Sequence, residues 1–474
     1  MKTKFFYLVL VNLSLLLSSC SNDDDFTVPQ SVNSEQSIVS IASDTPELSV
    51  LVSALTRADG NLVNVLNGNG PFTVLAPTNT AFNNFLSDNG FNSLDDVPTD
   101  VLSQILLNHV IMADVKSTDL TISGSGYASG SATGANNQNI SIYFNTENGV
   151  TFNGIANVTT ADVDASNGTI HIIDAVLGLP DIVDLTVANS NFSSLVAALG
   201  AADGDLVTVL QGSGPFTVLA PDNNAFNTFL DGTPLEDVDT ATLSQILLNH
   251  VVAGSAITSN ILIDAGSGYT NTAATAANSN ALSLYYNTSD GVTFNGTSTV
   301  MSADIVGTNG IIHAVDAVID IPTVVTFAAA DPNFSTLVTA LTDLTPNTDF
   351  VSILSRTEGG NSDGINPDFT VFAPTNDAFD DLASIPEESA LTQVLLHHVI
   401  GGANVTSSNL NNPGNTTAQT LQSDNITITL PGSGDNIANI TDGSGSSDVG
   451  IIAVDVQAGN GVIHVINKVM IPNL

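Results

Sequence analysis

One short segment occurs three times along the chain, and this repetition limits what the chain can fold into. It is Gly70–Phe82 (GPFTVLAPTNTAF), and it returns at 214–226 and at 367–379. Pro77 of its Ala-Pro pair recurs as Pro221 and Pro374, so successive copies lie 144 and 153 residues apart. Solenoid repeats have periods of about 20–50 residues, whereas about 100–150 residues is the usual size of a domain. The sequence therefore predicts one type of domain present three times.

The repeated segment predicts a strand, a sharp turn and a capped helix. Residues 72–76 form an apolar, partly β-branched run that is typical of a buried strand. Pro77 ends this run, and Thr78 is a residue type whose side-chain oxygen caps helix N-termini. The segment contains no nucleophile, phosphate-binding loop or metal-ligand set, so we interpret it as a structural motif. Its positions are Thr73, Pro77, Thr78 and Phe82, then Thr217, Pro221 and Phe226, then Thr370, Pro374 and Phe379.

The charge balance excludes two classes of partner. The chain has 47 acidic and 6 basic residues and a formal net charge of −41. Nucleic-acid binding needs a basic patch that neutralises phosphates, and attraction to an anionic membrane needs one as well. We expect a solvated acidic surface and no nucleic-acid partner. The acidic loop 442–448 lacks the spacing of a calcium loop, so we expect no cofactor beyond a weak surface calcium site.

The first residues have the pattern of a bacterial lipoprotein leader. Two lysines precede an apolar stretch, 5–17, that is too short to span a bilayer as a helix. Leu-Ser-Ser-Cys at 17–20 resembles the lipoprotein box, which implies cleavage before Cys20 and acylation of this residue, the only cysteine in the chain. We predict a signal peptide at 1–19 and a lipidated flexible tether at 20–36. Ser21 and the acidic residues 23–25 favour the outer membrane and the cell surface.

The remainder divides into three domains, predicted at 37–179, 181–321 and 323–474. They join at Pro180 and Pro322 with almost no linker, which favours a stiff string of domains. In the first copy we predict a helix capped by Thr99, a loop or weak hairpin at 121–138, and a hairpin turn at Asn167-Gly168. The third copy follows the same plan, with extra loops predicted at 356–368 and 411–450.

The repeated motifs resemble those of the fasciclin domain, an extracellular module. The family pattern Thr-Val-Phe-Ala-Pro-Thr-Asn-x-Ala-Phe is nearly matched at 73–82, 217–226 and 370–379. A late-strand pattern, Asn-Gly-x-x-His-x-Ile-Asp, is matched closely at 167–174 and 309–316, and at 460–467 with Asn as its last residue. The resemblance implies an α+β fold of three tandem fasciclin-like domains, each a β-sandwich-like wedge with packed α-helices. It also implies a role in adhesion, without catalysis.

Two departures from the family pattern bear on its known binding. The tyrosine of a Tyr-His pair is replaced by Asn108, Asn249 and His397. In some animal members an Asp-Ile pair before the last strand is implicated in integrin adhesion. The matching positions lack the preceding lysine, so integrin binding is not carried over and they stay candidate adhesion positions: Asp162, Val163, Asp304, Ile305, Asp455 and Val456.

All seven histidines belong to the repeat pattern. His109, His250 and His398 end a helix, His171, His313 and His464 lie in the late strand, and His397 is extra. A metal site or general base formed by two histidines of one copy is one hypothesis. We favour hydrogen-bonded core histidines, because zinc needs three or four ligands and no third ligand is grouped with them.

These observations favour a lipid-anchored cell-surface adhesion or binding protein that is not an enzyme. Its expected partners are the outer membrane, through the lipid anchor, and an extracellular protein, polysaccharide or other cell. One alternative is a periplasmic or envelope structural spacer. The other is an envelope hydrolase, although no Gly-x-Ser-x-Gly elbow is present and the many carboxylates single out no pair.

Overall fold

The computed structural model describes residues 36–473, and within them one set of helices and strands occurs three times. Cys20, the predicted signal peptide and nearly all of the predicted tether lie outside the described residues. The first domain contains, in chain order, α1 (Ile38–Asp44), α2 (Ser49–Arg57), α3 (Leu62–Leu66), β1 (Phe72–Pro77), α4 (Asn79–Asp88), α5 (Thr99–Asn108), β2 (Val110–Ile111), α6 (Ser117–Ser123), β3 (Ser125–Thr133), β4 (Asn139–Asn145), β5 (Thr151–Phe152), β6 (Ala156–Ala165) and β7 (Gly168–Ile173).

The second and third domains keep this order. The second contains α7 (Ile182–Ala188), α8 (Ser193–Ala201), α9 (Leu206–Leu210), β8 (Phe216–Pro221), α10 (Asn223–Leu230), α11 (Thr240–Leu248), β9 (Val251–Ala253), α12 (Ser259–Ala265), β10 (Ser267–Thr275), β11 (Ala281–Asn287), β12 (Thr293–Phe294), β13 (Ser298–Val306) and β14 (Gly310–Val315). The third contains α13 (Val324–Ala330), α14 (Ser335–Thr342), α15 (Phe350–Leu354), β15 (Phe369–Pro374), α16 (Asn376–Asp380), α17 (Glu388–His397), β16 (Val399–Gly401), β17 (Gly414–Gln419), β18 (Asn425–Leu430), β19 (Ala438–Thr441), β20 (Val449–Ala458) and β21 (Gly461–Ile466). In place of α6 and α12 it has a short 3₁₀ turn, Ser407–Asn409.

Each set of seven strands contains one parallel pair. In the first domain β1 pairs with β7, from Phe72 opposite Gly168 to Pro77 opposite Ile173. The other named pairs are antiparallel, and in this domain the seven strands close into a barrel. Gly168 has φ of +145°, and a Cβ there would lie 1.9 Å from the carbonyl oxygen of Phe72. This close approach explains the glycine that begins the last strand of every copy.

The two strands of the parallel pair are buried on both faces, and each domain therefore has two apolar cores. All six residues of β1 are buried. Successive side chains of a strand point to opposite faces, so Val74 packs with the helices while Leu75 packs inside the sheet. Phe82 of α4 belongs to the helix-side core and is 1% exposed. The predicted α+β class with packed helices is confirmed, and each domain has seven strands.

The predicted helix cap of the repeated segment is present in all three copies. The side chain of Thr78 accepts a hydrogen bond from the N–H of Ala81 at 3.2 Å. Asp222 caps α10 in the same way at 2.7 Å, and Thr375 caps α16 at 3.2 Å. The cap predicted at Thr99 is wrong. Pro98 occupies that position, and the Thr99 hydroxyl donates to the carboxylate of Asp59 at 2.8 Å.

Two segments with predicted loops contain regular structure. Residues 121–138, predicted as a loop or a weak hairpin, include the end of α6 and the long strand β3, which forms an antiparallel hairpin with β4 from Ser125 opposite Asn145. Residues 411–450 include β17, β18 and β19. These strands are rich in glycine, serine and threonine, so their sequences show no clear hydrophobic alternation. Cross-strand hydrogen bonds and side-chain pairs stabilise them. The predicted loop at 356–368 is a loop, and within it Arg356 forms an ion pair with Asp363 at 2.9 Å.

Consecutive domains are joined by one interface that occurs twice. Ser141 of β4 accepts a hydrogen bond from the N–H of Val306 at 2.9 Å, and Ser283 of β11 accepts one from Gln457 at 3.0 Å. Beside each serine lies a tyrosine pair of the preceding domain, Tyr127 with Tyr143 and Tyr269 with Tyr285. The side-chain amide of Asn189 donates to the Tyr127 hydroxyl, and the Tyr269 hydroxyl donates to Asp331, both at 3.0 Å. These contacts fix each domain against the next and support the predicted stiff string.

Candidate functional site

The helix-end histidines are buried and fully bonded to the backbone. Nδ1 of His109 lies 2.7 Å from the carbonyl oxygen of Ile105, and Nε2 accepts the N–H of Leu177 at 2.9 Å. The ring is therefore the neutral Nδ1–H tautomer and ties α5 to the segment that follows β7. Burial lowers the pKa of His109 to about 4. The geometry and the lowered pKa recur at His250 and His398.

The late-strand histidines take the opposite tautomer. Nε2 of His171 lies 2.9 Å from the carbonyl oxygen of Val115, and Nδ1 accepts the N–H of Asp162 at 3.3 Å. His313 and His464 make the same two contacts, and burial lowers the pKa of both rings. Both nitrogens of these rings are occupied, so neither offers a lone pair to a metal ion. Across residues 36–473, no three His, Cys, Asp or Glu side chains are grouped so that they could hold a metal ion.

The aspartates at the candidate adhesion positions act as clasps within each domain. Asp162 has φ of +56° at a bulge in β6, and its carboxylate accepts the N–H of Ser117 at 2.8 Å and the Ser117 hydroxyl. Asp304 binds Ser259 and Asp455 binds Ser407 in the same way. Burial acts to raise the pKa of Asp162, but the two hydrogen bonds from Ser117 together outweigh it and hold the pKa below its ordinary value. The clasp fixes the start of α6, α12 or the 3₁₀ turn against the bulge.

The apolar partners of these aspartates face inward. Ile305 is 2% exposed and Val456 is 6% exposed, and each belongs to the helix-side core of its domain. Val163 is partly buried and packs against the equivalent core. A partner molecule could not contact Ile305 or Val456 without displacing core side chains. The aspartate carboxylates, which are partly exposed, are the accessible part of these pairs.

The residues at the departing tyrosine positions are also structural. Asn108 donates to the carbonyl of Gly178 at 2.7 Å, and Asn249 donates to that of Asp320 at 3.0 Å. In the third domain His397 lies 3.2 Å from the Thr420 hydroxyl and accepts the N–H of Gly443 at 3.1 Å. Each side chain links the helix end to a distant segment of its own domain.

Two groups of residues have structural roles that the sequence analysis did not predict. Asn167 was predicted as part of a turn, but its side chain also accepts the N–H of Ile38 and donates to the carbonyls of Leu66 and Gly68. Asn309 and Asn460 make the same bonds. The interface tyrosines form the second group. The sequence signal for both was present, because the asparagine occurs in all three copies and the tyrosine pair only in the first two.

The described residues form two apolar cavities between helices and a polar cleft between domains. The larger cavity, of about 270 Å³, lies among α13, α14 and α15 and is lined by side chains such as Val325, Val338 and Leu341. A smaller one of about 110 Å³ occupies the same place in the second domain. The cleft, of about 590 Å³, lies at the junction of the first two domains and includes Tyr127, Gln138 and Asp304.

No single helix within residues 36–473 is both long and apolar enough to cross a membrane. Two pairs of consecutive helices together have the length and apolar composition of a membrane span, but the two helices of each pair are bent against each other by 105° and 99°. They are 38–44 with 46–57, and 182–188 with 190–201.

Comparison with known proteins identifies the family to which the three domains belong. The family model of the fasciclin domain matches residues 46–180, 190–322 and 332–472. The chain therefore belongs to the fasciclin domain family, and the resemblance of the repeated motifs is confirmed.

Relatives come from animals and bacteria. The chain is 27% identical to human periostin over 338 residues, and 28% identical to transforming growth factor-beta-induced protein ig-h3 of Sus scrofa over 349 residues. Each match covers 71% of this chain, and 37% and 45% of the relative, so the chain spans less than half the length of these two proteins. Protein sll1483 of Synechocystis is 34% identical over 170 residues, which is 35% of this chain and 88% of that protein.

Among solved structures, a FAS1 domain pair from the insect cell adhesion molecule Fasciclin I matches 58% of this chain and 96% of its own, with 20% identity and a TM-score of 0.37.

Proposed function

We propose that the protein is a lipid-anchored adhesion protein of the cell surface that binds extracellular material without catalysis. The observation that carries the proposal is the stacking of three family domains through one repeated interface. Rigidly spaced domains can present several weak contacts to one extended partner, and each further contact then forms at a high effective concentration.

The chemistry of the domains supports a surface rather than a pocket as the functional feature. Six of the histidines, two in each domain, have both ring nitrogens bonded to backbone groups. The clasp aspartates use their carboxylates to hold serines. These groups stabilise the domain, which leaves the polar and acidic outer faces for contact with a partner. A polysaccharide or a matrix protein is the class of partner we propose.

The anchor is the second part of the proposal. The lipoprotein pattern at 17–20 gives Cys20 as the acylated residue, and the tether then connects the outer membrane to the first domain. Several acyl chains on one residue make such an anchor stable. In this arrangement the third domain is the one farthest along the chain from the membrane.

Thiol coupling gives a direct test of adhesion. Because Cys20 is the only cysteine, the mature chain can be attached to maleimide beads at the residue that the lipid would occupy. We expect coated beads to adhere to surfaces bearing polysaccharide or matrix protein, and beads coated with a Cys20-coupled single domain to adhere more weakly. Equal and negligible adhesion of coated and uncoated beads would refute the binding function.

Protease treatment of intact cells tests the location. We expect loss of the full-length protein from unbroken cells, incorporation of labelled palmitate, and loss of both membrane attachment and label in Cys20→Ala. Complete protection from the protease would contradict surface exposure and favour an envelope spacer. Turnover of a glycan that disappears with one carboxylate substitution would favour the hydrolase.

A further inference from the structure

Within residues 36–473, the surface that carries the next domain in the first two copies is not covered in the third. It lies on β17, β18 and β19, and we call it the terminal sheet face. Thr417 lies opposite Thr427, which lies opposite Thr441. The remaining members pair in the same register and are Asn415, Gln419, Asn425, Thr429 and Asn439. All eight are uncharged.

The correspondence with the domain interface follows from a shared contact. In the second domain the Thr272 hydroxyl donates to Asn249, and Tyr269 lies three residues earlier on β10. In the third domain Thr420 bonds to His397, the counterpart of Asn249, and Thr417 lies three residues earlier. Thr417 and Thr427 therefore stand where the other domains have a tyrosine pair, and Asn425 stands where they have the interface serine.

The terminal sheet face no longer fits another fasciclin domain of this chain. Ala188 and Ala330 pack closely on glycines of the preceding domain, and the first domain has Asp44 at the equivalent position. Where the later domains have Val306 and Gln457, the first domain has Asp164, whose side chain is 73% exposed and pairs with Lys116. If a second copy docked head to tail on this face, the carboxylates of Asp44 and Asp164 would be buried, and no tyrosine hydroxyl would be there to bond to them. Burying a carboxylate without a partner is unfavourable. A neighbouring chain is thus a poor occupant.

The chemistry of the face fits a neutral polyhydroxylated polymer. Threonine hydroxyls and Asn or Gln side chains each donate and accept hydrogen bonds, as sugar hydroxyls do. Two of the amides also support neighbouring turns, because Gln419 donates to the carbonyl of Ser423 at 3.0 Å and Asn439 donates to the hydroxyl of Ser433 at 2.8 Å. Neighbouring strands lie about 4.8 Å apart and alternate residues of a strand about 6.7 Å apart, so the face is a regular grid of polar groups. Beneath it Ile426, Ile428 and Ile440 are fully buried, and they hold the three strands in place. A net charge of −41 repels polyanions, whereas an uncharged face admits a neutral chain.

We propose that the terminal sheet face binds an extended neutral polysaccharide, which lies across β17, β18 and β19 through hydrogen bonds to the threonine and amide side chains. The proposal rests on the proposed adhesion function and gives it a site and a class of ligand. The site lies on the domain that the tether leaves farthest from the membrane, where an extracellular polymer is met first.

The test uses the soluble mature chain with Cys20→Ser and hydroxyethylcellulose as the probe, followed by affinity electrophoresis and titration calorimetry. We expect binding by the parent chain and binding about tenfold or more weaker for Thr417→Val with Thr427→Val, because two hydroxyl hydrogen bonds are lost. Thr417→Ser with Thr427→Ser keeps the hydroxyls and should retain binding. Thr160→Val removes an exposed threonine of β6 in the first domain and is the matched control that should bind like the parent.

Undiminished binding by the double valine variant, with unfolding transitions like those of the parent, overturns the proposal. So does a doubled mass in light scattering that the valine variant abolishes, because the face would then pair with itself. Beads that adhere to matrix protein while the chain ignores hydroxyethylcellulose would overturn this site and leave the adhesion function standing. Failure of bead adhesion on every surface refutes the adhesion function itself.

Discussion

Acidification from pH 8 to pH 5 should destabilise every domain through its helix-end histidine. His109, His250 and His398 have a folded-state pKa of about 4, against 6.5 for an exposed histidine. The folded pKa is the lower one, so the unfolded chain binds more protons between these values. The stability that the neutral rings contribute is complete above pH 6.5 and is lost as the pH falls towards 4.

The size of the effect follows from the pKa difference. At about 1.4 kcal/mol for each pKa unit, the free energy of unfolding falls by about 3 kcal/mol per domain at the limit, and by about 2 kcal/mol at pH 5. The total stability of a domain is commonly about 5–15 kcal/mol, so this is a large fraction. His313 and His464, whose pKa values burial also lowers, act in the same direction.

The assay is urea unfolding at pH 8, 6.5 and 5 in high salt, with histidine ring nitrogens followed by NMR. We expect the ring shifts of the Nδ1–H tautomer at His109, His250 and His398 to persist down to about pH 4. A triple variant with glutamine at these positions keeps an acceptor near Leu177 and its equivalents but has no proton to take up. It should be less stable at pH 8 and lose less stability on acidification. A parent chain equally stable at pH 8 and pH 5, or a triple variant with the full pH dependence, would refute the reasoning.

Three further predictions concern the clasp and the interface. Asp304→Ala should lower the free energy of unfolding of the second domain by about 2–3 kcal/mol, because the variant loses the hydrogen bonds to Ser259 and has alanine at a positive φ. Asp304→Gly loses the same bonds without the backbone strain and should cost less. Calorimetry of the two variants measures the difference. Tyr269→Phe should leave the buried Asp331 without its hydroxyl partner and weaken the junction of the last two domains by about 1–3 kcal/mol. Tyr127→Phe removes a hydroxyl that contacts the neutral Asn189, so it should weaken the first junction by less. The separation of the unfolding transitions of neighbouring domains measures both effects. Thr417→Tyr with Thr427→Tyr, combined with Asp44→Ala and Asp164→Val, recreates both sides of the interface and should give concentration-dependent head-to-tail oligomers in light scattering; a monomer at all concentrations would contradict the assignment of these positions.

Local chemistry explains which elements could be predicted from the sequence. The strand–turn–helix of the repeated segment was predictable because the apolar run, Pro77 and the Thr78 cap all act within a few residues. Strand β3 was predicted only as a loop or part of a weak hairpin, since its glycines and serines show no alternation and its partner β4 holds it in place. Strand β17 was missed for the same reason. Short-range patterns do not carry information of this kind.

The candidate site shows the same division. That Asp162 adopts a positive φ and holds Ser117 depends on a bulge between two strands, which no motif in the sequence marks. The role of Tyr127 depends on a neighbouring domain that begins only after Pro180. Comparing the three copies position by position recovers some of this, because Tyr127 and Tyr269 have a counterpart in Thr417, which lies against no other described domain.

The asymmetry of the interface determines how the length of such a protein can change during evolution. Only the second domain has both compatible surfaces, the Tyr269 pair on one side and Ala188 with Val306 on the other. An internal duplication of this domain would lengthen the rod by one unit and leave both ends as they are. Duplicating the first domain would set Asp44 and Asp164 against a tyrosine pair, and duplicating the third would leave a threonine face inside the rod. The middle domain is therefore the unit by which the row of domains can lengthen.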